Sequence, residues 1–277
     1  MEYKEIKYGV ADRILTITLN RPDFLNAWTL TMERELRDAM SRAVVSEEVR
    51  VIVVTGEGRG FCAGADMSLL NEVRQADSNE SQNRDTEEYK CLEDGLDLPP
   101  DFSQRYSYFP SVSKPIIAAI NGPCAGLGLI MAMYSDVRFS SESAKFTTAF
   151  ARRGLIAEHG ISWMLPKIIG FSSALELLLS ARKFDSKDAL RIGFVSEVFP
   201  DDVFLDKVYG YASDLASNVS PRSMRVMKEQ VFKAQFQDLN SAIVNANIEM
   251  LNSFESEDFS EGVAHFLEKR SAKFSGR

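Results

Sequence analysis

Short apolar runs and apolar-polar alternation fill the first two hundred positions, and helical spacing takes over after them. Ile14-Leu15-Thr16-Ile17-Thr18-Leu19 is rich in β-branched residues and predicts a strand. From Asn26 to Val45, Leu30, Leu36, Met40, Ala43 and Val44 recur at helical spacing. Val51-Ile52-Val53-Val54 and Pro115 to Ile120 are continuous apolar runs, as in strands buried on both faces. Gly126 to Tyr134 predicts a buried helix, Val137-Arg138-Phe139 and Lys145-Phe146-Thr147 predict short strands, and Ile161 to Ile169 predicts an apolar helix. After about residue 195 the β signal fades. Asp201 to Ser217 predicts an amphipathic helix with Val203, Phe204, Val208, Tyr211 and Leu215 inward, and Ser220-Pro221 is a capping hydroxyl followed by a first-turn proline. The pattern divides the chain into a βα core over 1–200 and a helical region over 201–277. Residues 71–110 are polar and acidic around Asp77 to Asn83 and predict an insertion or lid within the core.

Composition narrows the classes. The 277 residues are 45% hydrophobic and 26% charged, enough for a sizeable core. A net charge of -8 argues against nucleic acid and anionic membrane as partners. Three widely spaced cysteines, Cys62, Cys91 and Cys124, fit a reducing compartment, and a cytoplasmic location is expected. With His159 and His265 as the only histidines, no histidine-rich metal site is expected. The N-terminal residues alternate in charge without an apolar stretch, so no signal peptide is expected, and the longest apolar stretch, Pro115 to Tyr134, is broken by Asn121-Gly122-Pro123, so no membrane span is expected.

Two small-residue segments each follow a buried strand: Gly60 to Asp66 and Asn121 to Gly128, the second opening a helix. Small residues after a strand let a ligand approach the backbone, and a helix start offers unpaired N–H groups. Either segment alone also reads as a plain turn. Together they could aim two N–H donors at one oxygen, the arrangement of an oxyanion hole. Neither has the spacing of a phosphate-binding or dinucleotide loop.

In this order, Phe61–Asp66 (Phe-x-Ala-Gly-x-Asp) and Asn121–Gly128 (Asn-Gly-x-x-x-Gly-x-Gly) resemble the crotonase, or enoyl-CoA hydratase/isomerase, family. Asn20-Arg21-Pro22 with Asn26-Ala27, Asp136, Gly154, Leu165-Pro166, Gly170, Gly193-Phe194-Val195 and Phe266 to Arg270 extend the resemblance over nearly the whole chain. It implies an α/β, crotonase-like (ClpP/crotonase) fold, a repeated ββα superhelix with a C-terminal helical trimerisation region. It also implies an acyl-CoA thioester as substrate, with coenzyme A part of that substrate and no separate cofactor, and a homotrimer or hexamer. Carried over, the oxyanion donors are the amides of Ala65 and Leu127. Ala27, Ala63, Gly64, Asp66, Met67 and Gly126 would hold the nucleotide and pantetheine. Lys269 is a candidate for the phosphates and equally reads as a solvated helix lysine.

Two departures matter. Where typical hydratases of the family carry two glutamates, this chain has Ile130 and Phe150, which would instead wall the acyl site. Neither can activate water or deliver a proton. Glu158 stands just before the Ile161 helix, where some family isomerases carry their acid/base. On residues alone, Glu158 reads as a carboxylate stabilised by the helix start. The resemblance gives it the acid/base role and favours a double-bond shift. Hydration, or thioester binding without chemistry, stays open. His159 could orient Glu158 or lie at the surface, and Arg152 and Arg153 read as solvated or phosphate-facing.

Overall fold

The computed structural model describes residues 2–75 and 95–277. The centre of the expected insertion, Asp77 to Asn83, and Cys91 lie outside the described residues. Six strands form the main sheet: β1 (Ile6–Ala11), β2 (Ile14–Leu19), β3 (Val51–Gly56), β4 (Ile116–Ile120), β6 (Val137–Ser141) and β9 (Glu197–Phe199), in that order. The β1–β2 pair is antiparallel, and every later pair is parallel. A second sheet joins β5 (Cys124–Ala125), β7 (Lys145–Thr147) and β8 (Phe184–Asp185).

Alternation along the central strands explains the layering. Leu15, Ile17, Leu19, Ile52, Val54, Ile116, Ala118 and Ile120 pack into the main core with helices α1 (Leu30–Val45) and α3 (Leu127–Tyr134). Ile14, Val51, Val53, Ile117 and Ala119 point to the other face, where Phe204, Val208, Ala212 and Ala216 of α7 (Phe204–Asn218) cover them. The first helix of the C-terminal region therefore closes the central sheet. Helix α3 is buried along its whole length, as its uninterrupted apolar sequence requires.

Three details differ from the sequence expectation. Helix α1 begins at Leu30, because Leu25 and Asn26 adopt left-handed backbone and Thr29 caps the helix by accepting from the Met32 amide. The β signal continues past residue 195, since β9 adds an edge strand beside β6. Phe102, Tyr108 and Phe109, in the later part of the 71–110 stretch, sit in the main core.

The remaining α-helices among the described residues are α2 (Met67–Gln75), α4 (Ile161–Ile169), α5 (Phe171–Ser180), α6 (Ser186–Arg191), α8 (Pro221–Ala234), α9 (Leu239–Phe254) and α10 (Glu257–Glu268). Among the described residues no helix is long and apolar enough to cross a membrane.

Candidate active site

The two small-residue segments run side by side. Cys62 and Cys124 form a parallel bridge, the Ala125 amide donates to the Cys62 carbonyl at 2.9 Å, and the Cys62 amide donates to the Pro123 carbonyl at 3.0 Å. Glycine is needed where they touch. A side chain at Gly128 would run into the Cys62 carbonyl, and Gly64 has φ 95° with a Cβ position 3.0 Å from the Ala125 oxygen. From the other side, β7 supports the second segment: β5 pairs with it, and the Gly126 amide donates to the Thr147 carbonyl at 3.2 Å.

Ala65 and Leu127, the residues that follow these contacts, keep their amides unspent among the described residues. At Ala65 the reason is register. Its bridge partner Trp28 donates to the Gly64 carbonyl and accepts from the Asp66 amide, so the Ala65 N–H faces away from that pairing. At Leu127 the reason is position: it opens α3, and the first intrahelical bond runs from the Ile130 amide to the Gly126 carbonyl.

The Ala27 turn joins this platform. One Arg21 nitrogen (Nη1) donates to the Ala27 carbonyl at 2.5 Å and to Asp66 Oδ2 at 2.9 Å. Asn26 is fully buried, accepting from the Arg21 amide and donating to the Glu57 and Gly60 carbonyls. Asp66 also accepts from the Ser68 amide and hydroxyl. The Ser68 amide chiefly, with the Ser68 hydroxyl and Arg21, holds its carboxyl below the usual carboxylate range against a smaller opposing effect of burial. Ala27, Ala63, Gly64, Ala65, Asp66, Gly126 and Leu127 are thus drawn together along the two segments, with Gly64, Gly126 and Leu127 buried, and Met67 stands exposed where α2 begins. Cys62 and Cys124 lie buried as free thiols, and burial pushes Cys62 up to about 12.

Glu158 belongs to the loop before α4, where its carbonyl accepts from the Ile161 amide. Its carboxylate lies 3.6 Å from His159 Nε2, and both side chains are partly exposed. The His159 carbonyl accepts from the Tyr134 hydroxyl at 2.9 Å, tying this loop to the C-terminal end of α3. The His159 ring packs edge-on against Tyr106 at 4.3 Å, and Tyr106 in turn meets Trp28 at 5.9 Å. A chain of contacts therefore runs from Ala65 through Trp28, Tyr106 and His159 to Glu158. Tyr106 and His159 also line a cavity of about 700 Å³.

Sequence reasoning passed over the centre of that chain. Glu33, 5% exposed, accepts from Trp28 Nε1 at 3.1 Å, from the Tyr106 hydroxyl at 3.1 Å, and from Arg105 through two bonds of 2.6 and 2.8 Å. In sequence it is an ordinary acid in the first turn of a helix, and Arg105 is 72 positions away. Only the closeness of Glu33 to Trp28 hints at it.

The other candidates are dispersed. Ile130 is buried in α3 within the main core. Phe150 is also buried and lines a separate aliphatic groove with Leu155, Ile156, Leu175, Leu178 and Leu179. Lys269 is exposed, with left-handed backbone capping α10. Arg152 reaches back to the Ser180 and Ala181 carbonyls.

A family model described as enoyl-CoA hydratase/isomerase matches residues 9–277, and the chain belongs to that family of enzymes. Its fold is that of the crotonases. An enoyl-CoA hydratase from Bacillus anthracis superposes with a TM-score of 0.87 at 25% identity, covering 99% of this chain and all of the other. A Geobacillus kaustophilus enoyl-CoA hydratase structure gives a TM-score of 0.86 at 30% identity over the whole of both chains. A Rhodobacter capsulatus protein named probable enoyl-CoA hydratase is 34% identical over the full length of both. The 1,2-epoxyphenylacetyl-CoA isomerase of Escherichia coli is 28% identical over 95% of each.

Proposed function

We propose that the chain binds an enoyl-CoA thioester, stabilises its enolate through the amides of Ala65 and Leu127, and shifts the double bond with Glu158 as acid and base. The observation that carries this reading is the pair of unspent amides on adjoining loops, each freed by a different backbone cause. In the reaction, the Glu158 carboxylate takes a proton from C2, and negative charge moves onto the thioester oxygen, where two N–H donors meet it. Glu158 then returns the proton to C4, so one carboxylate serves both steps and no other reactant is consumed. Ile130 and Phe150, apolar where hydratases of the family carry glutamates, favour this single-carboxylate scheme over water addition.

The names of relatives support the second reading, hydration of a 2-enoyl-CoA. The two are separated by incubating the protein with 3-enoyl- and 2-enoyl-CoA in heavy water and following products by NMR and mass spectrometry. A double-bond shift, with any solvent deuterium exchanged onto Glu158 delivered to C4, and lost in Glu158→Gln while thioester binding persists, is the expected result. A 3-hydroxyacyl product from the 2-enoyl thioester replaces isomerisation by hydration. Binding without exchange at C2 leaves a non-catalytic thioester-binding protein.

A homotrimer or hexamer, with residues 201–277 as the region that builds it, is part of the proposal. Leu239, Leu251, Phe266 and Leu267 are exposed within that region, apolar surface that self-association would cover. Light scattering on the purified chain tests the stoichiometry.

A further inference from the structure

Two cavities lined by neighbours of Glu158, one by Ala157 and the other by His159, differ in chemistry. The groove beside Phe150 is mainly aliphatic. The cavity of about 700 Å³ beside His159 has no leucine, isoleucine, valine or methionine among its described lining residues, and six rings instead: Phe102, Tyr106, Tyr134, His159, Trp163 and Phe236. Three of these form a fixed cluster. Trp163 and Phe236 stack at 5.4 Å with 19° between planes, and Phe102 meets them edge-on at 6.2 and 5.9 Å. Trp163 and Phe236 are 38% and 45% exposed, and the Lys167 ammonium sits over the Trp163 ring at 4.2 Å from its centroid.

The polar ends of the tyrosines are already used. Tyr134 donates to the His159 carbonyl, and Tyr106 donates to Glu33. Arg105, also in the wall, is held by Glu33 through its paired bonds. What the wall offers is mostly ring edges and faces. A flat guest gains most from such a wall, because rings meet edge-to-face or offset-stacked at defined spacings. A flexible alkyl tail gains only contact area and must be ordered to fit.

We propose that this cavity takes a planar, ring-bearing acyl group of the thioester, with Trp163 and Phe236 setting that preference. The proposal rests on the thioester reading above and names its substrate class. The wall touches the proposed site through side-chain contacts, since its His159 adjoins Glu158 and its Tyr106 packs on Trp28 beside Ala65, although Ala65, Leu127 and Glu158 do not themselves line the cavity.

The test uses two readouts on the full chain. Calorimetry compares the affinity for phenylacetyl-CoA with that for hexanoyl-CoA, neither of which carries a double bond to shift. Steady-state kinetics compares kcat/KM for 6-phenylhex-3-enoyl-CoA, whose ring is not conjugated with the alkene, with that for oct-3-enoyl-CoA. The ring-bearing member of each pair is expected to win by roughly tenfold or more. In Trp163→Leu, and separately in Phe236→Leu, the preference falls to within about twofold, with the melting temperature confirming that each variant is folded. Equal or better use of the alkyl thioesters by the unaltered chain overturns the proposal and leaves the thioester reading intact. An undiminished ring preference in both variants overturns the assignment to this cavity. Failure to bind any of the thioesters removes the thioester reading and this proposal together.

Discussion

Trp28 brackets Ala65: its amide donates to the carbonyl before Ala65 at 2.8 Å, and its carbonyl accepts from the amide after it at 2.9 Å. A parallel pairing in this register satisfies the neighbours and leaves the central residue's own N–H free. The free amide is thus a product of strand geometry, independent of the alanine side chain. The same Trp28 donates its indole N–H to Glu33, so the residue that frees the amide is itself fixed by a buried carboxylate.

The second free amide gives the sharpest test of the enolate scheme. Leu127 is the first residue of α3, the one helix position where proline fits because its N–H has no intrahelical partner. Leu127→Pro should delete the donor while leaving the helix in place, and lower kcat by about 10²–10³-fold. Leu127→Ala keeps the N–H and loses only side-chain packing, so its kcat should stay within about tenfold of the parent. Comparable kcat values for the two variants, with both shown folded by circular dichroism, would exclude this amide from the chemistry.

Glu33 is expected to matter for stability before activity. Glu33→Gln removes the carboxylate to which the Arg105 guanidinium, only 17% exposed at its side chain, donates two bonds. Breaking a buried pair in this way costs about 3 kcal/mol. Urea unfolding measures it, and Glu33→Gln/Arg105→Gln should recover most of the loss because no buried charge is then stranded. An equal loss in the single and double variants would mean the pair contributes through packing alone.

These two cases mark what the sequence could and could not show. The strands through Val51 to Val54 and Ile116 to Ile120 were legible because a strand buried on both faces must be apolar throughout. The glycine segments were legible because close backbone contacts exclude a Cβ at Gly64 and Gly128. Glu33, Arg105 and Tyr106 were not, because their roles depend on tertiary pairing between α1 and residues more than seventy positions on. The start of α1 was misplaced because Asn26 spends its side chain on the Glu57 and Gly60 carbonyls, a long-range bond that local periodicity does not register.

Asp66 should make the first loop acid-sensitive. Its carboxyl is held below the usual range, so the folded state favours the ionised form. That contribution is fully present above the ordinary aspartate value of about 3.9 and is lost as pH falls through the lower folded value. The stability gap between the parent and Asp66→Asn should therefore be constant from about pH 5 upward and close on further acidification. Urea titrations at stepped pH measure the gap, and one that does not change with pH would show that the ionised carboxylate gives the loop nothing. In Arg21→Met the gap should shrink, since one of the lowering partners is gone.

Asp136, one of the positions that carried the family resemblance, acts at a distance from the candidate site. Its Oδ2 accepts from Lys228 Nζ at 2.7 Å and from the Ile116 amide at 2.7 Å, while Lys228 also donates to the Phe109 and Lys114 carbonyls at 3.3 Å. The pair pins α8 to the start of β4 and to the turn at Phe109. Burial pushes the Asp136 carboxyl up and the Lys228 ammonium down, and each charge offsets part of the other's burial, with the Ile116 amide and Arg138 also favouring the ionised carboxylate. Lys228→Met is then expected to cost about 3–5 kcal/mol by stranding the carboxylate. Asp136→Asn/Lys228→Met should cost clearly less than the sum of the two single changes, because the remaining amide still accepts from Ile116 and no charge is left without water. A double-mutant cycle by chemical denaturation reads the coupling directly. Strict additivity would show that the two charges do not support one another and that Asp136 holds β4 through its backbone contacts alone.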